Sequence, residues 1–228
     1  MSDLQDIVTI DGPSGVGKST ISRRTAAALG FTYLDTGAMY RAVAWFLESE
    51  QVDVTDETAV QKSLESLEIE LLPAADEMSD VGVRVAGKDV SREIRMPEMS
   101  MAASRVSALN VVRKRLTAMQ QEIGRRGKIV AEGRDTGTVV FPDAAYKFYL
   151  DADPGERARR RVAQLREKGE VQDEAEVLAM ILERDKNDSE RELAPLAVAA
   201  DAVVIDTTKI SINEVGRAIL DSIRKKKG

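Results

Sequence analysis

The sequence predicts an α/β fold: a five-stranded parallel sheet with helices on both faces, a small β-rich insertion and a lid. Three observations predict it. Short apolar, β-branched runs recur with helical stretches between them, the alternation that gives right-handed crossovers and a covered sheet. The first run, Ile7-Val8-Thr9-Ile10, leads without a linker into Gly12-Pro13-Ser14-Gly15-Val16-Gly17-Lys18-Ser19. From about residue 65 to 98 the rhythm changes to period two, the mark of short antiparallel strands.

Taken in order, the first strand is followed by a helix from Ser19 to Leu29, which Gly30 ends. Phe31-Thr32-Tyr33-Leu34 reads as a second strand, and Asp35 or Thr36 can cap a helix from about Ala38 to Glu48. Trp45 and Phe46 on that helix read as core. Glu68–Leu71 and Val81–Val85, with a turn at Ala86–Asp89, supply the antiparallel strands. Two helices follow near Pro97–Ala108 and Val111–Arg125, with Asn110 as the cap of the second. Lys128–Ala131 is a third core strand, opening into the loop Gly133-Arg134-Asp135, and Lys147–Leu150 is a fourth. Asp153-Pro154-Gly155-Glu156 starts a helix with a cap, a proline at the first position and an acid three residues after the cap. Ala202–Ile205 is the fifth strand, and Ser211-Ile212-Asn213-Glu214 is a capping box for the last helix. The expected organisation is a core of residues 1–64 and 99–228, a lid at about 155–170, and an insertion at 65–98.

The glycine-rich stretch fits G-x-x-x-x-G-K-[ST] and lies between a strand and a helix, the context a P-loop requires. Its backbone N–H groups can turn inward around phosphate oxygens, and the helix N-terminus adds positive charge. Gly12, Pro13, Ser14, Gly15, Val16, Gly17, Lys18, Ser19 and Thr20 are therefore the candidate nucleotide cradle. Lys18 supplies a mobile charge for the outer phosphates, and the Ser19 hydroxyl can hold Mg²⁺.

Composition narrows the chemistry. The 228 residues include no histidine and no cysteine, so the usual general base, disulfides and thiolate metal sites are excluded. Carboxylates, Lys/Arg, hydroxyls and Mg²⁺ remain, a set suited to phosphoryl transfer, where catalysis is mostly positioning and charge neutralisation. A net charge of −6 argues against general nucleic-acid binding. Arg224-Lys225-Lys226-Lys227 reads as a solvated helix end. No run is long enough to span a membrane, and the short acidic start Met1–Asp6 is unlike a signal peptide. A cytoplasmic monomer is expected.

A second phosphate site is legible at other strand ends. Asp35-Thr36-Gly37-Ala38-Met39-Tyr40-Arg41 sets a hydroxyl, an aromatic and an arginine after the second strand. Gly133-Arg134-Asp135 adds an Arg–Asp pair after the third. Arg184, Asp188 and Arg191 share one face of a helix if it persists that far; that spacing also fits a surface salt-bridge row. Asp35 is open between a cap and a functional role. Arg157, Arg159, Arg160 and Arg161 fit either a solvated face or a lid over ATP phosphates. The guanine-reading N-K-x-D pattern of GTPases is absent.

With these stretches the sequence resembles the bacterial cytidylate kinases, nucleoside monophosphate kinases. The likeness rests on Ile10–Gly15, Leu34–Arg41, Glu132–Pro142, Glu183-Arg184-Asp185 and Ala194-Pro195-Leu196, and it covers nearly the whole chain, including the β-rich insertion. It implies phosphoryl transfer from ATP, with Mg²⁺, to CMP or dCMP. With that activity Lys18, Arg134 and Arg191 are the candidate catalytic residues, and Arg157 and Arg161, as part of a lid, the candidates beside ATP. The resemblance implies that Arg41 and Arg134, with Arg191 nearby, hold the acceptor phosphate. Ser104, Arg113 and Asp135 would read cytosine, and Arg184 and Asp188 would lie toward the sugar. Asp35, Thr36, Tyr40 and Gly133 complete the implied acceptor site. The alternatives are another small-molecule or nucleotide kinase, such as a UMP kinase, and a non-catalytic nucleotide-binding regulator.

Overall fold

In the computed structural model, which describes residues 6–72, 74, 79–167 and 169–227, the run Ile7–Asp11 becomes a strand buried along its whole length. Most of the short acidic start, part of the polar loop before Val81, and Lys168 of the expected lid lie outside the described residues. Along the chain the elements are β1 (Ile7–Asp11), α1 (Lys18–Leu29), β2 (Thr32–Asp35), α2 (Thr36–Ser49), α3 (Glu57–Glu65), β3 (Ile69–Leu72), β4 (Gly82–Val85) and β5 (Lys88–Asp89). They continue as α4 (Pro97–Val106), α5 (Asn110–Gly124), β6 (Ile129–Gly133), β7 (Tyr146–Asp151), α6 (Pro154–Glu167), α7 (Glu174–Ser189), β8 (Val203–Asp206) and α8 (Ile212–Lys227).

The chain divides into two units, Met1–Leu34 with Gly127–Gly228, and Asp35–Arg126. The first is built on the expected five-stranded parallel sheet, in the order β2-β6-β1-β7-β8. Ile7 lies opposite Ile129 and Asp11 opposite Gly133 in one parallel pair, and Val8 lies opposite Tyr146 in the next. One apolar cluster joins Val8, Ile10, Val130, Phe148 and Leu150 of the strands to Ile21 and Ala26 of α1 and to Val215, Ile219 and Ile223 of α8. The α8 residues recur at four-residue spacing, so one stripe of that helix faces the sheet. Each fully buried side chain of this kind contributes about 1.5–3 kcal/mol. A second, smaller cluster of Ala158, Leu165, Val177 and Ile181 lies between α6 and α7.

Local signals act as the sequence leads one to expect at several helix starts. The Asp153 carboxylate accepts the Glu156 N–H at 3.0 Å, ahead of Pro154 at the first position of α6. Ser211 and Glu214 form the reciprocal box, with the Ser211 N–H 2.8 Å from Glu214 Oε2 and the Glu214 N–H 3.3 Å from Ser211 Oγ.

The second unit holds the antiparallel sheet β3-β4-β5, with Ile69 opposite Val85 and Arg84 opposite Asp89. The unit is wider than the 65–98 stretch read as an insertion, because the sheet does not stand alone. Val83 and Val85 are buried from it, and α2 and α4 contribute Met39, Val43, Phe46, Leu47, Met99 and Ala103 to the interior. Phe46 is core as expected; Trp45 is half-buried, with the Lys88 ammonium 4.9 Å from its ring centre.

One expectation is corrected, one helix is added, and one condition left open is settled. Asn110 is the first residue of α5, and Leu109 precedes it at the cap position with no side-chain cap bond. Helix α3, capped by Asp56 through the Thr58 and Ala59 N–H groups, was not expected. Helix α7 ends at Ser189, so Arg191 lies beyond it. Among the described residues no helix is long and apolar enough to cross a membrane.

Candidate active site

The first unit carries the phosphate loop. Gly12 follows β1 at φ 147°, and a Cβ there would lie 2.0 Å from the Leu150 carbonyl oxygen. Only glycine lets the loop leave the strand this close to β7. Val16 turns its side chain into the core, so it serves the loop through its backbone. Gly17 starts α1 without a side-chain cap bond, and an uncapped helix start presents N–H groups and positive potential to an anion. Lys18 is buried, with Nζ donating to the Pro13 carbonyl at 2.5 Å. Burial pushes its pKa well down, and the positive charge of Arg134 adds to this, while Glu132 opposes it. Thr20 completes the first turn, half-buried.

Glu132, at the end of β6, was not among the expected site residues. Its Oε1 accepts from the Ser19 hydroxyl at 2.8 Å and its Oε2 from the Tyr33 hydroxyl at 2.8 Å. Asp11 was also missed. Its Oδ1 accepts from the Thr136 N–H at 2.9 Å and hydroxyl at 2.8 Å, and its Oδ2 from the Gly137 N–H at 2.7 Å. Burial pushes the Asp11 carboxyl up despite these donors and the nearby Lys18 charge. Asp11 thereby fixes the chain just after Gly133-Arg134-Asp135, where Thr136–Val140 forms one turn of π-helix. Gly133 is the last residue of β6, and the buried Asp135 accepts the Val139 N–H on its carbonyl at 2.9 Å.

The expected arginine–aspartate row gathers on a buried carboxylate, with the arginines half-buried around it. Asp188 is only 2% exposed. Arg134 Nε donates to its Oδ2 at 2.9 Å; Arg184 Nε lies 3.8 Å from Oδ2 and Arg191 Nη1 3.9 Å from Oδ1. Arg191 reaches it from beyond the helix, held by Nη2 on the Ala194 carbonyl at 2.9 Å. Burial opposes the Asp188 charge, but Arg134, Arg184 and Arg191 outweigh it and hold the carboxyl below its ordinary value. A single buried carboxylate thus gathers three guanidinium groups, which suits them to bind phosphate oxygens. Arg157, expected beside ATP, packs against the phosphate loop. It is buried, and its three guanidinium nitrogens donate to protein acceptors: the Ala152 carbonyl, the Ser14 carbonyl and Asp185. Arg161, one turn further along α6, is half-buried.

In the second unit Asp35 caps α2 and also pairs with Arg41. Its Oδ1 accepts the Ala38 N–H at 2.7 Å, capping α2, and its Oδ2 accepts from Arg41 at 3.2 Å. Thr36 is buried at the start of α2. Tyr40, Ser104 and Arg113 come together in this unit. The Arg113 guanidinium lies 5.6 Å from the Tyr40 ring centre and donates to the Ser107 carbonyl at 3.1 Å, and the Ser107 hydroxyl donates to the Ser104 carbonyl at 2.7 Å. Ser107 carried no signal in the sequence.

A parallel sheet whose central strand ends in a glycine loop, an uncapped helix and a buried lysine defines an α/β P-loop nucleotide-binding fold. A solved structure of an uncharacterized protein from Eubacterium ventriosum ATCC 27560 shares the fold, with a TM-score of 0.52 at 12% identity, over 97% of this chain and 99% of that one. The chain belongs to the cytidylate kinase family, whose model matches residues 8–225. It is 51% identical over 221 residues to a bifunctional pantoate ligase/cytidylate kinase of Prochlorococcus marinus (strain MIT 9303), covering 96% of this chain and 45% of that protein. The protein of the same name from Synechococcus sp. (strain WH7803) is 49% identical over 219 residues, covering 96% and 44%. The chain therefore spans less than half the length of these curated relatives.

Proposed function

We propose that the chain transfers the γ-phosphoryl group of ATP to CMP or dCMP, giving ADP and CDP or dCDP. The observation that carries this reading is the charge arrangement of the first unit: Lys18 on the phosphate loop, and Arg134, Arg184 and Arg191 gathered by Asp188. Family membership supports cytidylate as acceptor and ATP as donor. An acceptor phosphate oxygen attacks the γ-phosphorus in line, and the bond to the β–γ bridging oxygen breaks as ADP leaves. The attacking oxygen is already anionic, so a chain without histidine lacks nothing for this step. Lys18, Arg134 and Arg191 neutralise charge on the transferring group.

The donor set near the loop fits Mg²⁺. The ion takes one or two protein oxygens and otherwise keeps water and phosphate ligands, and Ser19 and Glu132 offer a hydroxyl and a carboxylate 2.8 Å apart. Among the described residues no group of three acidic side chains could hold a metal alone, so the ion would arrive with the nucleotide. Bound Mg²⁺ would supply charge neutralisation at the phosphates.

The acceptor residues follow the family: Arg41 and Arg134 for its phosphate, Ser104, Arg113 and Asp135 for cytosine, Arg184 and Asp188 for the sugar. Under the same reading residues 65–98 are the acceptor-binding insertion, residues 155–170 the lid, and the enzyme a cytoplasmic monomer acting on small molecules. The net charge of −6 supports the lack of a nucleic-acid partner. A coupled ADP-release assay with CMP, dCMP, UMP and AMP tests the proposal. CMP or dCMP should give the highest kcat/KM, and Asp135→Ala should weaken CMP more than ATP. Preference for UMP or AMP, or ATP binding with no acceptor-dependent ADP release, would overturn it.

A further inference from the structure

We propose that Arg157 and Asp185 form a positioning pair that sets the shape of the phosphate loop from the base of the α6–α7 hairpin; this rests on reading the loop as the ATP site. Arg157 is 3% exposed and reaches three segments. Its Nη1 donates to the Ser14 carbonyl inside the loop at 3.1 Å, its Nε to the Ala152 carbonyl after β7 at 3.1 Å, and its Nη2 to Asp185 Oδ2 on α7 at 2.5 Å. The loop also packs directly on this side chain, since a Cβ at Gly15 would lie 3.2 Å from the Arg157 Cβ. A planar guanidinium bonded at three nitrogens has little rotational freedom left. Asp185 orients it, and the guanidinium in turn pins the Ser14 carbonyl away from the phosphate oxygens it would repel. The N–H groups of the loop then stay turned inward. The pair is 28 residues apart in sequence, so it also closes the base of the hairpin. Arg157 acts through the loop; it is not itself assigned to the nucleotide.

Asp185 is the cleaner site to vary. Without Asp185 the guanidinium keeps the Ala152 and Ser14 carbonyls as acceptors, whereas removing Arg157 takes away all three bonds at once; thermal stability reports the cost of the charge left unpaired. Affinity for ATP and ADP should be measured by calorimetry on the full chain for wild type, Asp185→Ala, Asp185→Asn and Arg157→Lys, alongside KM for CMP and thermal stability. Asp185→Ala should weaken ATP about tenfold, the scale of one charge-assisted hydrogen bond. Asp185→Asn should fall between it and wild type, and Arg157→Lys, a point charge without the fork, should also weaken ATP. KM for CMP should stay within about twofold in all three. If folded Asp185→Ala or Asp185→Asn binds ATP as tightly as wild type, the pair does not position the loop. Parallel weakening of ATP and CMP would likewise overturn it, showing a general loosening. A wild type that binds ATP but does not phosphorylate CMP would remove the functional reading, and the affinity comparison would still decide the role of the pair.

Discussion

Asp188→Asn tests the guanidinium cluster most directly. The change keeps the shape and one acceptor oxygen and removes the charge. Three cations lie at 2.9, 3.8 and 3.9 Å from the carboxylate, and without it they repel one another in a partly desolvated space. Removing one partner of a buried ion pair costs about 3–5 kcal/mol. The arginine side chains keep 17%, 21% and 7% exposure, so solvent screens part of the repulsion and the lower end, about 3 kcal/mol, is expected. For a chain of this length that is a fall in Tm of about 6–12 °C, read by circular dichroism at pH 7. The sign of the pH dependence follows from the direction of the shift. A carboxyl held below its ordinary value in the folded chain stabilises the fold at every pH above its unfolded value of about 3.9. That stability is lost as pH falls through the lower, folded value, so the gap between wild type and variant should close under acid. A variant Tm within about 2 °C of wild type at pH 7 would refute the reasoning, as would a gap that persists unchanged to pH 2.

Three further outcomes are expected. Lys18→Ala should lower turnover at least about 10²-fold, the scale of one preorganised charge donor; near-normal turnover in the ADP-release assay would remove Lys18 from the chemistry. Gly12→Ala should leave the protein unfolded or unable to bind ATP, because the added carbon meets the Leu150 carbonyl; a folded variant with wild-type ATP affinity in calorimetry would contradict the loop geometry. Asp35→Ala should cost about 1 kcal/mol for the lost cap and raise KM for CMP by releasing Arg41, measured by thermal melts and acceptor titration. A stability loss with unchanged KM would leave Asp35 only its capping role.

The parts of this molecule legible in the sequence are those governed by short-range chemistry. The strand leading into Gly12–Ser19 and the caps at Asp153 and Ser211 depend on neighbours within four residues, and all appear in the fold. Helix α3 was missed because its apolar stripe is only Val60 and Leu64. Asn110 misled because a good capping residue is also tolerated inside a first helical turn. The site was legible where it is a motif and illegible where it is assembled by topology. Asp11 and Glu132 lie on adjacent strands, 121 residues apart, and their hydroxyl and N–H partners come from elsewhere in the chain. Arg157 shows the limit of charge patterning: its arginine-rich run fits a solvated face or a lid over phosphate, and nothing in that run signals that its guanidinium bonds protein carbonyls.

The hairpin of α6 and α7 has an interior of its own, Ala158, Leu165, Val177 and Ile181, separate from the cluster that seals the sheet. Four buried side chains, with Val162 and Leu178 packed against them, are a small reservoir of cohesion. Amides in the outer turns of this arm should therefore exchange with deuterium through partial opening, long before those of β1, which wait for the whole sheet to come apart. Opening confined to those outer turns would leave the sheet that carries the phosphate loop undisturbed.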